Sequence, residues 1–525
     1  MFFFVFVYFK IKLKTKLLKI KLKSHFKQCQ TDLQFHYSFQ TMFKILLFTL
    51  LSVATSDIQL DVQTLLNHVS SLSGYSFSVG YVDGNTDSSY AWGSGPITPP
   101  NFPAANPPTG TVGPSDTMLL GSGTKPYTAA ALHRLVDQNK LKLTDLAHLY
   151  LDPVLDRMRP GTSFASLFGK EALTVQVRDL IHMSSGIADF DIPTYDNLVL
   201  KSTGTVTIMD TLDVVAKFQE PNGCTTSNCT WVCPNGPGTC VSYSSTSFIL
   251  AGLVLLHFAP EKANTWETYD QKAGLGLADS KTANRTFFPR TGSMQDILTS
   301  SGSSLQYGQA EILKQDASIL GWTCGNGISS GLDAALFVYD LLSPAFQNDQ
   351  NDNDNENEKS NQRRQGAPIV SKKGLKDMLN FTTLNTGWAK NEVDYGGGIM
   401  VQNVNLKYGM PPYDRKPPPH NVPTTYFGHG GDTYGFMSDS GYYPLLNASV
   451  SVIVNQDSDY VYPSYVVTCN VVKLIMIEKK MDVSEVKCID AHPSTFECQT
   501  MYGEKVCAPS YRSRTSLKDC QATCK

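Results

Sequence analysis

Charge is scarce in this chain: 17% of its 525 residues are charged and the formal net charge is −3. Residues 1 to 56 hold nine Lys and one Asp, or +8, which leaves −11 on residues 57 to 525 and argues against a nucleic-acid partner. Beyond residue 56 no apolar run is long enough to cross a bilayer, so no stable membrane span is expected. The first cysteine cluster, Cys224, Cys229, Cys233 and Cys240, lacks the paired Cys-x-x-Cys knuckles of structural zinc sites. It reads instead as disulfide-forming. What the chain has in plenty is core material, with 41% hydrophobic and 10% aromatic residues. That excludes a disordered chain and exceeds the needs of one ordinary domain.

Met42-Phe43-Lys44 and the ILLFTLLSVATS that follows have the basic, apolar and small-residue zones of a secretory signal, over residues 42–56. Residues 1–41 fit no processing pattern ahead of it, so we read them as a non-native or unstructured extension with Met42 as the true start. The rival reading is a basic arm that adsorbs on anionic lipid. Export agrees with twelve cysteines, eleven of them beyond the signal region, and with the sequons at Asn228, Asn284, Asn380 and Asn447. The expected location is extracellular, or the lumen of the secretory or lysosomal pathway.

Ser122-Gly123-Thr124-Lys125 places a hydroxyl and an amine on one helix face. DTMLLG before it reads as a short strand. Ala131, Leu132, Leu135 and Val136 after it form one helical stripe, and Pro126 suits a first turn. Ser-x-x-Lys also occurs at Ser24 and Ser484, without that context. At such a strand-to-helix junction the serine N–H is an unpaired donor that can face a developing oxyanion.

Tyr75, Phe77, Val79 and Tyr81 alternate along one face, and Asp83-Gly84 signals a turn, so a hairpin follows the first helix. Residues 125 to 345 read as mostly helical. An Asn/Asp-rich insertion, 346–366, reads as disordered, with a processing site at Arg363-Arg364 as the alternative. Strand signals resume in YGGGIMVQ, TTYFGH and ASVSVIVNQ, with GFMSDSGYYP as a turn region between the last two, and YVVTCNVVKLIMIEKK closes the core as an amphipathic helix. Residues 488–525 read as a separate cysteine-rich module.

Three segments in order, Ser122-x-x-Lys125, Tyr243-Ser244-Ser245 and His429-Gly430-Gly431, resemble the serine β-lactamase and penicillin-binding-protein superfamily. Within it the likeness is to the class C-related, esterase-like branch, and LTVQVRDLIHMSSGI and GNGISSGLDAALFVYDLL extend it. The resemblance implies an α+β, β-lactamase/transpeptidase-like fold over residues 57–480, an antiparallel sheet flanked by helices with a helical lobe. It implies no metal and no organic cofactor. Ser122 would be the nucleophile, Lys125 its base once desolvated near other cations, and Tyr243 a proton relay whose phenol adjacent positive charge keeps acidic. His429, also expected to be catalytic, stands where the family carries Lys or His and would donate a hydrogen bond rather than hold a fixed charge. Ser245, Gly430, Gly431 and Asp432 would bind substrate, with the Ser122 and Asp432 N–H groups as the oxyanion donors.

Two departures set expectations. Ser245 replaces the usual Asn, and Asp432 places a carboxylate where family members often have a small residue, which disfavours anionic β-lactams or selects a cationic group. With no class A-type acidic base evident, water activation falls to Tyr243. The cysteine cluster ahead of Tyr243 reads as a staple for its loop, with a redox role as the alternative. The tail resembles ShK-toxin-like domains but lacks the cysteine that would follow Cys524, so Cys488 pairs with Cys469 or stays odd; its partner is unknown. The leading reading is a secreted serine hydrolase acting through an acyl-Ser122 intermediate on a small ester, amide or D-amino-acid peptide. The alternative is an inactive β-lactamase-fold binding or scaffold protein.

Overall fold

A computed structural model describes residues 57–98, 109–192, 195, 199–200, 204–217, 230–233, 235–277, 283–294, 298, 303–304, 315–347, 368–408, 416–457, 463–488, 496–501 and 504–509. The N-terminal extension and signal, nearly all of the Asn/Asp-rich insertion, Asn228, Cys224, Cys229, Cys520 and Cys524 lie outside the described residues. Every described element but Asp57 belongs to one unit, Ile58–Lys525.

Helix α1 (Ile58–Ser73) presents Ile58, Val62, Leu66 and Val69 at helical spacing to the core. The hairpin of β1 (Phe77–Asp83) and β2 (Ser88–Ser94) follows, and Phe77, Val79 and Tyr81 face that same core, as the alternation requires. Next come β3 (Met118–Leu119), helices α2 (Lys125–Asp137), α3 (His148–Met158), α4 (Val177–Ile181) and α5 (Ser245–His257), then β4 (Ile328–Ser329) and α6 (Gly331–Phe346). The chain returns through α7 (Lys372–Met378), β5 (Thr382–Thr383), β6 (Asp394–Tyr395), β7 (Met400–Asn403), β8 (Thr425–Thr433), β9 (Phe436–Tyr443), β10 (Ala448–Val454) and α8 (Pro463–Glu478).

One antiparallel eight-stranded sheet runs in the order β2-β1-β10-β9-β8-β7-β6-β5, so its first and last long segments pair, Val79 opposite Val452. One face packs on α1 and α8, the other on α6 and the helical lobe built around α2 and α5. GFMSDSGYYP is not a turn region: β9 is a fully buried strand between β8 and β10. Its Gly, Ser and Asp carry little strand propensity, and the order comes from neighbours on both sides and both faces. Among the described residues the disulfides Cys233–Cys240 and Cys469–Cys488 are formed, the latter tying α8 to the chain that follows it. In the tail, β11 (Phe496–Met501) and β12 (Glu504–Pro509) form a hairpin.

Helix α2 is anchored at its far end by a buried polar cluster. His182 Nε2 lies 2.8 Å and His133 Nε2 3.5 Å from Asp377 Oδ2, and Arg178 Nε donates to Asp377 Oδ1 at 3.1 Å. Burial holds His133 below its ordinary 6.5, at about 4, against the pull of Asp377 and with His182 and Arg178 adding to the lowering. The unfolded chain therefore takes up more protons than the folded one between pH 6.5 and about 4, and stability falls as pH drops through that window. Asp377, held at about 2 by His182 and Arg178 despite its burial, adds a further loss below the ordinary carboxylate value of 3.8. Thermal unfolding should show Tm declining from pH 7 to pH 4, with a shallower decline in His133→Gln.

Candidate active site

The turn that carries Ser122 is fixed by pairings made far along the chain. Strand β3 pairs with β4, Leu119 opposite Ile328, and Leu120 N–H donates to Gly327 O at 2.8 Å. Gly327 N–H in turn donates to Thr124 Oγ1 at 2.8 Å. Between strand and helix the chain makes a 3-10 turn, Gly121–Thr124, and Pro126 falls in the first turn of α2. Gly121 has a positive φ of 54°, and a side chain there would meet the Asp432 backbone, its O at 2.6 Å. A Cβ on Gly431 would collide with Leu120 O. These two glycines let β8 lie against the serine turn.

Tyr243 arrives from the opposite side. Ser242 N–H donates to Met183 O at 2.8 Å, and the Ser244 side chain caps α5 by accepting from Ser247 N. The Cys233–Cys240 bridge closes the loop just ahead, in agreement with a structural staple. Period-two alternation along β8 turns Phe427 and His429 to the lobe side and Tyr426 to the α1/α8 side.

These elements bring Ser122, Lys125, Tyr243 and Ser245 together. Lys125 Nζ lies 2.8 Å from Ser122 Oγ, 3.3 Å from Ser245 Oγ and 3.2 Å from Cys324 O. Tyr243 donates its hydroxyl to Ser122 Oγ at 2.8 Å, and Lys125 Nζ sits 4.9 Å from its ring centroid. The lysine is 0% exposed, and burial pushes its pKa down, opposed by Cys324, Asp189 and Asp191. Desolvation is as the sequence suggested. The charged neighbours are carboxylates rather than the expected cations.

Ser122 Oγ, Ser245 Oγ and Cys324 O thus surround Nζ as three acceptors, and burial eases the loss of its proton. The expectation of an acidic phenol at Tyr243 is overturned: burial raises its pKa well above the ordinary value, and the Ser122 hydrogen bond only partly offsets this. Tyr243 is a protonated donor at neutral pH. Ser245, expected among substrate contacts, directs its hydroxyl to Lys125 from the first position of α5.

His429 is buried, its Nε2 3.1 Å from the Tyr395 hydroxyl and its Nδ1 against Gly430 O. Burial, and then the nearby Lys125, push its pKa down to about 3. It is neutral, with Nδ1–H donating to Gly430 O and Nε2 accepting from Tyr395. Its ring nitrogens engage Tyr395 and Gly430 rather than Ser122. Gly430, Gly431 and exposed Asp432 line the cavity with Ser122, Tyr243 and Ser245, a space of about 580 Å³. Among the described residues no group of three or more His, Cys, Asp or Glu side chains could hold a metal ion.

The sequence did not single out Asp189, Tyr395, Cys324 or Trp388. Asp189 falls three residues beyond the Ser-Gly pair of LIHMSSGIADF, its Oδ1 accepting from Ser245 N at 2.9 Å and Asp191 N at 3.2 Å. Burial and the nearby Asp191 raise its pKa to about 7, with Lys125 pulling the other way. Position after a Ser-Gly pair is the one signal that could have marked it. Trp388 packs edge-on against Tyr243 at 5.1 Å, which no local pattern announces.

A family profile described as Beta-lactamase matches residues 78–464. The chain belongs to this family. In fold it is similar to a D-amino acid amidase from Ochrobactrum anthropi SV3 complexed with L-phenylalanine amide, at 18% identity and TM-score 0.52, over 81% of this chain and 99% of that one. A D-stereospecific amidohydrolase from Streptomyces sp. matches at 19% and 0.50, covering 76% and 94%. An octameric penicillin-binding protein homologue from Pyrococcus abyssi matches at 16% and 0.51, covering 82% and 78%. No curated protein gave a sequence match. The β-lactamase/transpeptidase-like fold and the serine-hydrolase superfamily expected from the motifs are thus those of the chain.

Contact between β8 and the serine turn makes a graded prediction. Gly431→Ala should cost about 1–3 kcal/mol in unfolding free energy, because backbone must move. Gly430→Ala should cost less, because its new Cβ meets the side-chain end of Gln402 at 3.2 Å. Equal costs in denaturant unfolding would contradict the close approach.

Proposed function

We propose that the chain is a secreted hydrolase that forms an acyl-enzyme on Ser122 and cleaves a small ester, amide or D-amino-acid peptide. The observation that carries the proposal is the convergence of two groups on Ser122 Oγ, each at 2.8 Å: a buried amine with lowered pKa and a phenol with raised pKa. A pair of titrating groups pushed in opposite directions is the arrangement acid–base catalysis needs. Two fold neighbours named as a D-amino acid amidase and a D-stereospecific amidohydrolase favour amides among the substrates.

Neutral Lys125 takes the Ser122 proton as Oγ bonds to the substrate carbonyl carbon. Oxyanion charge is met by the Ser122 and Asp432 N–H groups. As the C–N or C–O bond breaks, Tyr243 protonates the leaving atom, which leaves an ammonium and a phenolate close together in a buried site. Water then loses a proton to the Tyr243 phenolate and attacks the acyl carbon, and Lys125 returns its proton to Ser122 Oγ. The phenol is thus acid first and base second. His429 and Tyr395 wall the site as a neutral pair.

Export is supported by the Cys233–Cys240 and Cys469–Cys488 bridges and by exposure of two sequon residues, Asn284 and Asn380. Secretion with cleavage before Asp57 and glycan at those two positions are the expected outcomes of peptide mapping on protein from a eukaryotic host.

Steady-state kinetics on aryl esters and aminoacyl amides test the catalytic proposal. Ser122→Ala and Lys125→Met should abolish measurable turnover, and Tyr243→Phe should lower kcat by about 10²–10⁴-fold. Wild-type rates in all three folded variants would overturn it in favour of an inactive binding protein.

A further inference from the structure

The cavity that opens on Ser122 is lined by the carboxylates of Asp189, Asp191, Glu392, Asp432 and Asp439, with Lys416 as its charged basic side chain. His429, where the family often keeps a cation, is neutral with both ring nitrogens engaged. A substrate carboxylate would find repulsion here more than partners.

Asp189 stands out from the other carboxylates. Both of its hydrogen bonds are made by Oδ1, to the Ser245 and Asp191 amides, which fix the carboxylate plane and leave Oδ2 with no partner among the described residues. It lines the cavity beside Ser122 and Tyr243, joined to the Lys125 group through Ser245. Its raised pKa follows from burial and from Asp191 at its side, the mark of a carboxylate lacking a cation. The catalytic lysine directs its Nζ to Ser122, Ser245 and Cys324 O, not to Asp189. A second observation points the same way: Trp388, 58% exposed, leans on Tyr243 at the cavity wall. A cavity lined by both an indole and a carboxylate is suited to an ammonium carried on an apolar body.

Resting on the hydrolase reading above, we infer that the cavity selects acyl donors with a free ammonium group close to the scissile carbonyl, held by Asp189 Oδ2 with Trp388 and Asp191 beside it. The substrate class is then an unblocked aminoacyl amide, ester or peptide N-terminus. N-acylated and anionic analogues are disfavoured, since blocking the amine leaves Asp189 unpaired.

The test uses the full secreted chain and p-nitroanilides of D- and L-phenylalanine with the amine free, acetylated or succinylated. The free amine should exceed its acetyl form in kcat/KM by at least about tenfold, with the succinyl form poorest. Asp189→Asn, which keeps an acceptor for Ser245 N, should collapse the free-to-acetyl ratio towards one, and Asp191→Asn should reduce it. Acetyl or succinyl forms cleaved as well as the free amine, or an unchanged ratio in folded Asp189→Asn, would overturn the inference while leaving the hydrolase reading intact. Calorimetry of phenylalaninol and N-acetylphenylalaninol on Ser122→Ala reads the subsite without turnover. Amine-selective binding that Asp189→Asn removes supports the subsite even if wild type never turns over, and equal binding of the two alcohols overturns it.

Discussion

Burial of the Lys125 amine is the constraint on which the rest of the site depends. A fully desolvated ammonium without a bonded counter-ion is costly, and that cost pushes the lysine pKa down while three oxygen acceptors hold the nitrogen. Three distant parts of the chain supply these acceptors: the turn at Ser122, the start of α5 at Ser245 and the carbonyl of Cys324. The β3–β4 pairing and the Gly327–Thr124 bond hold the first and third in register. The α5 cap holds the second. An amine whose proton is made easier to lose is a base poised against Ser122.

The same dryness sets every other ionisation. Tyr243 stays protonated because a phenolate would be desolvated, and that lets it donate to Ser122 and later to a leaving group. His429 stays neutral for the same reason, with Lys125 adding to the effect, and so it cannot serve as the cation that attracts a substrate carboxylate. The carboxylates of Asp189, Asp191, Glu392, Asp432 and Asp439 line the same cavity, so its electrostatic character is acidic.

How much of this was legible in the sequence follows from how local each signal is. The Ser122 turn, the β1–β2 hairpin and the α2 stripe rest on spacings within a few residues, and they formed where the spacings placed them. Tyr243 and His429 were visible because each sits in a short segment with recognisable neighbours. What failed was environment. The expected acidity of Tyr243 assumed a positive neighbour, but burial reversed the sign. Strand β9 read as a turn because its glycines and serines are weak strand formers, and its order comes from β8 and β10. Tyr395 gave no pattern and Asp189 only its place after a Ser-Gly pair, since their roles arise from contacts to His429 and Ser245 across the fold.

The most direct test of the central claim is the pH dependence of covalent modification of Ser122 by a small fluorophosphonate, followed by mass spectrometry of the tryptic peptide. A buried neutral Lys125 predicts a rate that rises and levels off well below the ordinary lysine pKa of about 10.4, with the plateau lost in Lys125→Met. A rate that climbs without a plateau to that value, or a Ser122 that takes no adduct, would contradict it.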